Sequence, residues 1–129
     1  MNQLSSLIEK LKTEATAQSV INIPPIDFYP TASIKFLGVD LLVGECSYGR
    51  SVFNLTPALK IGSNFIIGEQ IHKDWRQILS AKDTDTTWFV KLYAKNEHNN
   101  MIRYSLIIID CPREQFLGRL IEWLNAKEK

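Results

Sequence analysis

The residues best suited to catalysis or metal binding are scattered along this sequence rather than grouped. His72 and Asp74 lie two positions apart on a short predicted helix, where they point in different directions, and His98 stands in an asparagine-rich loop. A metal site needs spacings such as HExxH, or two histidines four residues apart, because these place the ligands on one helix face. We interpret the histidines as ordinary surface residues, and neither a metal nor another cofactor is predicted.

The two cysteines, Cys46 and Cys111, show no motif of thiol chemistry. Each is followed by an arginine, Arg50 and Arg113, but phosphate-cradling thiol enzymes need a longer loop of backbone amides between the two residues. Neither cysteine lies in a CxxC motif or a Cys/His cluster, and two are too few for the disulfide framework of a secreted protein. We predict buried free thiols that pack as small apolar side chains.

The acidic residues form no recognisable catalytic pair in the sequence. There is no GxSxG motif, no glycine-rich phosphate loop and no strand-borne pair of acids followed by lysine. Some carboxylates could meet only through folding, namely Asp27, Asp40, Glu45 and Asp110. A non-enzymatic protein is the prediction, with an enzyme that lacks a recognisable motif as an alternative.

Composition limits the classes of partner. The chain has 129 residues, of which 45% are hydrophobic and 22% charged, as expected for one globular domain. Fifteen basic and fourteen acidic side chains give a formal charge of +1, so no global field attracts nucleic acid or an anionic membrane. Charges interrupt the N-terminal segment where a signal peptide would be apolar, and no stretch reaches the ~20 apolar residues of a membrane span. We predict a cytoplasmic protein without a membrane span.

The pattern of apolar residues predicts an α+β fold in a single domain. Residues 1–18 form an amphipathic helix, because apolar residues recur there at helical spacing. Residues 19–32 form a proline-rich apolar linker packed on the body, since prolines favour extended backbone. Residues 33–129 form an antiparallel sheet and the C-terminal helix. The complete prediction is a sheet of about five or six strands with N-terminal, short middle (72–81) and C-terminal helices.

The stretch WFVKLYAKNEHNNMIRYSLIIIDCP, residues 88–112, predicts a β-hairpin with a five-residue loop at Asn96–Asn100. The assumed register pairs Ala94 with Ile102 and Trp88 with Ile108. One face is then apolar and is predicted to be core: Trp88, Val90, Leu92, Ala94, Ile102, Tyr104, Leu106 and Ile108. Alternation places on the other face Phe89, Lys91, Tyr93, Lys95, Met101, Arg103, Ser105 and Ile107.

Two binding hypotheses follow from these elements. The leading one is a non-enzymatic protein-interaction module, adaptor-like, chaperone-like or an assembly subunit, which binds another protein or itself. Its candidate interface consists of Leu4, Leu7, Ile8, Leu11, Phe28 and Tyr29. The alternative is single-stranded nucleic-acid binding on the second hairpin face, where aromatic rings would stack on bases and cations would contact phosphates. Its candidate residues are Phe89, Lys91, Tyr93, Lys95 and Arg103.

Three resemblances concern the fold. The strand YSLIIID running into PREQFLGRLIEWLNA is similar to the last strand and capping helix of pleckstrin-homology-like domains. The basic loop that those domains use for phosphoinositides has no counterpart in ECSYGRS, which offers Arg50 alone. Strands followed by a helix also resemble Whirly-type single-strand binders, and the element order is similar to that of type III secretion chaperones. These likenesses imply a fold and carry no function.

Overall fold

The structure is a computed structural model and describes residues 3–20, 26–48, 55–70 and 86–128. Its helices are α1 (Gln3–Glu14) and α2 (Arg113–Glu128). Its strands are β1 (Ala17–Val20), β2 (Ile26–Phe36), β3 (Val39–Tyr48), β4 (Thr56–Ile61), β5 (Asn64–Gln70), β6 (Thr86–Lys95) and β7 (Met101–Cys111). The predicted middle helix at 72–81 lies outside the described residues.

All seven strands belong to one antiparallel sheet, in the order β1-β7-β6-β5-β4-β3-β2. Strands β2 to β7 follow one another as a meander, and only β1 crosses over to pair with the last strand. The predicted α+β class and antiparallel sheet are confirmed. The predicted count of five or six strands is wrong, since the sheet has seven.

The first quarter of the chain differs most from the prediction. Helix α1 ends at Glu14, and residues 17–20 of the predicted helix and linker form β1 instead. Residues 26–32, predicted as linker, begin the edge strand β2. Proline lacks an N–H but is tolerated on an edge strand, where one side of the backbone has no partner to bond. The part of the predicted linker that contains Pro30 therefore belongs to the sheet.

Both helices cover the same face of the sheet, which we call the helix face. From α1 come Leu7, Ile8 and Leu11, and from α2 come Phe116, Leu120 and Leu124, all buried in one core with alternate residues of the strands. The two helices are also joined by polar contacts, because Lys10 Nζ donates to the carbonyl of Lys127 at 2.9 Å, and Lys127 pairs with Glu14 at 2.8 Å. The apolar stripe of α1 thus docks on the chain's own sheet.

The loop of the β6–β7 hairpin is confirmed at Asn96–Asn100. The backbone N–H of Asn96 donates to the carbonyl of Asn100 at 2.9 Å, and Asn99 takes the left-handed conformation with φ 63°. The side-chain oxygen of Asn96 accepts from the N–H groups of His98 and Asn100. Local asparagine chemistry therefore closes the turn as the sequence predicts.

The register of this hairpin is right near the loop and wrong beyond it. Ala94 pairs with Ile102 as predicted, but a β-bulge at Leu106 shifts the remaining pairs, so that Trp88 lies opposite Ile109 instead of Ile108. A bulge adds one residue to one strand and so reverses the faces that follow it. Ile107 and Ile109 consequently pack against the core. Ile108, predicted to be core, is 60% exposed on the opposite face, which we call the outer face.

Candidate functional site

The predicted nucleic-acid-binding residues all lie on strands β6 and β7, but they do not form an open platform. Lys95 is exposed, while Phe89, Lys91 and Arg103 are half-buried. Tyr93 is only 2% exposed, so its predicted accessibility is wrong. It pairs across the sheet with Phe65 on one side and Arg103 on the other, and it packs in a small cluster with Cys46, Ala58 and Ile67. A ring so enclosed cannot stack on a base without rearrangement.

A carboxylate that the sequence did not single out organises this part of the outer face. Glu69 on β5 accepts a hydrogen bond from the phenol of Tyr93 and forms an ion pair with Lys91 at 2.6 Å, where both charged side chains are about four-fifths covered. The Lys91 ammonium also lies 6.0 Å from the centre of the Phe89 ring. Lys91 is thus neutralised by its own sheet, which weakens the phosphate contacts of the nucleic-acid hypothesis; nucleic-acid binding itself stays a prediction.

The environment of Tyr93 disfavours its ionised form. Burial raises the pKa of Tyr93 above its usual 10.0, and the hydrogen bond to Glu69 together with the negative charge of Glu69 raises it further, while Arg103 acts in the opposite direction. A phenol in this state stays protonated and donates to the carboxylate. The three side chains of Tyr93, Glu69 and Lys91 therefore form a structural network.

We expect this network to make the protein less stable at alkaline pH. Well below pH 10 the phenol is protonated in both states, but as the pH approaches and passes 10.0 the unfolded chain loses the proton first, which favours unfolding. The free energy of unfolding should fall as pH rises above about 10, and it should fall less in Tyr93→Phe. Urea denaturation at several pH values measures how the free energy of unfolding changes with pH in the wild type and in Tyr93→Phe, with Tyr29→Phe as the control. Equal slopes in the wild type and Tyr93→Phe would contradict the assignment.

The bulge in β7 creates a groove on the outer face. Leu106 is buried in the core and Ile107 packs against it, so two consecutive side chains point to the helix face. No side chain of β7 then projects outward between Ser105 and Ile108. The result is a mainly apolar groove of ≈ 670 Å³ lined by Thr16, Phe89, Val90, Lys91, Ser105, Leu106, Ile107 and Ile108.

The groove runs beside an uncovered stretch of strand edge. Strand β1 pairs with β7 only from Ala17 opposite Ser105 to Val20 opposite Ile102. Beyond Ser105, Leu106 is the bulge residue and Ile107–Asp110 pair with β6 on one side. On the other side, no strand pairs with Leu106–Asp110 in the described part of the chain. We call Leu106–Asp110 the free segment of β7. Its backbone groups on that side have no strand partner among the described residues, and they lie next to exposed apolar surface.

The opposite edge of the sheet is better protected. Strand β2 carries Pro30, a register shift between Pro30 and Ala32, and the exposed Lys35. Proline, bulges and lysine are the features by which natural edge strands resist pairing with other chains. The free segment has a bulge of its own at Leu106 and the charged Asp110, but it contains neither proline nor lysine. The two edges of one sheet therefore differ in their readiness to accept a strand.

The predicted protein interface is divided between core and surface. Leu7, Ile8 and Leu11 are buried under the sheet and Leu4 is half-buried against the same core. Phe28 is half-buried on the outer face, where its ring centre lies 6.2 Å from that of Phe65. Only Tyr29, on β2, is exposed, at 45%. Because the α1 stripe already has a partner in the sheet, the prediction that it binds another protein would require α1 to detach.

Metal-binding clusters and membrane-spanning helices are absent from the described residues. No three His, Cys, Asp or Glu side chains come together as a metal site would require, and no helix is both long and apolar enough to cross a membrane. Cys46 and Cys111 are both buried, and neither forms a disulfide. Burial raises the pKa of the Cys46 thiol, which lies 3.4 Å from the Thr56 hydroxyl, so this sulfur stays protonated and unreactive.

Comparisons with known protein families, with curated proteins and with solved structures find no match to this chain.

Proposed function

We propose that the chain is a non-enzymatic protein-interaction module that binds an extended polypeptide along the free segment of β7. One observation carries the proposal: β1 covers β7 only as far as Ser105, and the uncovered remainder presents Ile108 with 60% of its surface exposed. Adding a strand to such an edge is a common mode of peptide recognition, in which main-chain hydrogen bonds supply affinity and pockets for alternate side chains supply specificity.

The groove gives this edge a means of selecting side chains. An incoming strand alternates its side chains between the two faces of the sheet, and those on the outer face would border the groove between Ser105 and Ile108. The groove wall is mainly apolar, with Phe89 and Ile108 on it and Lys91 the one charged residue. Apolar side chains fit this surface better than charged ones, since a charge placed there would lose water without gaining a free counter-charge.

Nucleic acid is the less favoured partner. Stacking would depend on Phe89 alone among the predicted aromatic residues, because Tyr93 is buried. Phosphate contacts would depend on Lys95 and Arg103, because Lys91 already pairs with Glu69. The proposal also keeps the predicted cytoplasmic location, since two buried cysteines without a disulfide are usual in a reducing compartment.

A synthetic peptide tests whether the free segment accepts a strand. The probe is a fluorescently labelled, uncharged Ser-Thr-Val-Thr-Val-Thr-Val-Ser peptide, and a matched peptide with proline at the central positions cannot form the ladder. We expect the first peptide to bind and Ile108→Lys to weaken its affinity by about tenfold or more, because burying one isoleucine contributes roughly 1.5–3 kcal/mol. Fluorescence anisotropy measures the dissociation constants.

Tyr29→Lys is the matched control, since it makes the same kind of change at an exposed residue on the opposite edge strand. Both lysine variants should melt within a few degrees of the wild type, because exposed substitutions usually change stability by less than about 0.5 kcal/mol. Absence of binding to the wild type, or equal binding to wild type and Ile108→Lys, would refute strand addition at this segment.

A further inference from the structure

We propose that the strand received by the free segment runs antiparallel to β7 and carries a lysine or arginine two residues before an aliphatic residue. The proposal rests on strand addition at β7 and names the chemistry of the partner. The basic residue would lie opposite Asp110 and the aliphatic residue opposite Ile108. The partner is thus an extended segment of another protein with the pattern basic-x-aliphatic.

Asp110 projects from the outer face at the far end of the free segment. Cys111 is buried in the core of the helix face, so alternation directs Asp110 to the same side as Ile108. The Asp110 side chain is exposed, and its carboxylate accepts a hydrogen bond from the Thr87 hydroxyl at 2.6 Å. Among the described residues, no cation forms an ion pair with it. Its negative charge is therefore available to an incoming strand.

The cations on the neighbouring strand and helix are already engaged. Lys91 on β6 pairs with Glu69 at 2.6 Å, and Arg113 at the start of α2 pairs with Glu45 at 3.1 Å. Neither can turn to Asp110 without giving up its own carboxylate. A cation supplied by the partner would meet no such competition.

The direction of the incoming strand follows from β1. That strand already runs antiparallel along this edge, with Ala17 opposite Ser105, and the N–H of Thr16 donates to the Ser105 carbonyl at 2.9 Å. A strand that runs the same way continues the line of β1 along the free segment. Antiparallel pairs are also slightly more stable per residue than parallel pairs. In this direction the residue opposite Asp110 comes two positions before the residue opposite Ile108.

The two positions contribute differently to recognition. Side chains directly opposite each other lie with their Cβ atoms about 4.5–5.5 Å apart, so a basic side chain reaches the Asp110 carboxylate and an aliphatic one contacts Ile108. An exposed ion pair adds little affinity, whereas an acidic residue at the same place is repelled. A charge on an edge strand also discourages indiscriminate pairing. Ile108 therefore supplies affinity, and Asp110 selects among the strands that bind.

Three labelled peptides that differ at one position test the selection. Each reads Ser-Thr-Xaa-Thr-Val-Thr-Val-Ser with both ends blocked, and Xaa is Lys, Gln or Glu. We expect the Lys peptide to bind at least about threefold tighter than the Glu peptide, with the Gln peptide between them. The difference should shrink as salt is added, because exposed charges are screened. Fluorescence anisotropy measures the three dissociation constants.

Variants of the protein assign the preference to one carboxylate. Asp110→Asn keeps a side-chain oxygen for the Thr87 hydroxyl and should abolish the preference, while Asp110→Lys should reverse it so that the Glu peptide binds best. Asp27→Lys is the matched control, since it makes the same change of charge at an exposed residue of the opposite edge strand and should leave the order unchanged.

A reversed peptide tests the direction. Ser-Val-Thr-Val-Thr-Lys-Thr-Ser has the same composition as the Lys peptide, but it can set Lys opposite Asp110 and Val opposite Ile108 only in a parallel strand, so it should bind more weakly. Tighter binding of the reversed peptide would overturn the antiparallel direction. Equal affinity for the Lys and Glu peptides, or an order that Asp110→Lys does not change, would overturn the basic-x-aliphatic pattern. Strand addition would still stand if the uncharged Thr/Val peptide bound in a manner sensitive to Ile108→Lys, whereas a wild type that binds no peptide would remove both proposals.

Discussion

Replacing Trp88 with alanine should lower the free energy of unfolding by about 3–5 kcal/mol, the largest effect that we expect from any single change in this protein. The indole is fully buried, its ring centre lies 4.9 Å from that of Phe116, and its Nε1–H donates to the carbonyl of Cys111 at 3.1 Å. The Arg113 guanidinium lies 6.0 Å from the ring centre. One side chain thus connects β6, the end of β7 and the first turn of α2.

Urea denaturation measures this loss, with two variants for comparison. Trp88→Phe keeps an aromatic ring but removes the donor to Cys111, so it should cost less than Trp88→Ala, roughly 1–3 kcal/mol. Trp123→Ala removes an indole that is only half-buried at the edge of the core, and it should cost about 1 kcal/mol. A loss below about 1 kcal/mol for Trp88→Ala would mean that the core does not depend on this residue.

The burial of Trp88 shows how far local pattern alone could predict this hairpin. Strict alternation in WFVKLYAK fixes which residues share a face, and the asparagines of the loop fix the pairing nearest the turn. Both features are local, so they can be predicted without knowledge of the fold. Ala94 opposite Ile102 and the burial of Leu106 accordingly agree with the structure.

The bulge could not be predicted in the same way. Four apolar residues, LIII, follow Ser105 in the sequence. Such a run lacks the alternation of apolar and polar residues that would assign each side chain to one face of the sheet. Burial of two neighbours, Leu106 and Ile107, on one face is decided by the helices packed above them. The exposed Ile108 and the groove, on which the proposed function depends, therefore come from tertiary packing.

Strands β1 and β2 illustrate two other limits of predicting strands from the sequence. The residues of β1 read AQSV, of which only Val20 has a strong strand preference, and they become a strand because β7 offers an edge to pair with. The turn between β2 and β3 contains Leu37 with φ 53° before Gly38, a conformation that leucine rarely adopts and that sequence patterns do not suggest. The number of strands was consequently underestimated.

Glu69 was missed because its importance depends on pairing between distant strands. The register of β5 and β6 sets Glu69 opposite Phe89 and so brings its carboxylate to Lys91 and Tyr93, more than twenty residues away in the sequence. Alternation within β6 identifies the outward residues of that strand but says nothing about what lies beside them. Tyr93 was therefore predicted to be open although its neighbours enclose it.

Replacing Gly68 with alanine should be destabilising by roughly 1–3 kcal/mol, an unusual cost for adding one methyl group. Gly68 lies on β5 opposite Val90, and a Cβ placed there would overlap the ring of Phe116 from α2. That ring is fully buried and packs against Trp88, so it cannot swing aside as an exposed side chain would. The extra methyl must push α2 away from the sheet or force Phe116 out of its rotamer.

Gly118→Ala is the matched control, because Gly118 is exposed on α2 and a Cβ there meets nothing within 4 Å. Alanine should stabilise the helix by about 0.5–1 kcal/mol, so the same substitution has opposite signs at the two sites. Phe116→Leu made together with Gly68→Ala should cost less than the sum of the two single changes, since the smaller side chain leaves room for the methyl. Thermal and urea denaturation of the four variants measure this coupling. Two outcomes would contradict this prediction: additive losses of unfolding free energy in the double variant, or no loss in Gly68→Ala. Either would show that the close packing of α2 on the sheet does not require a residue without a side chain at position 68.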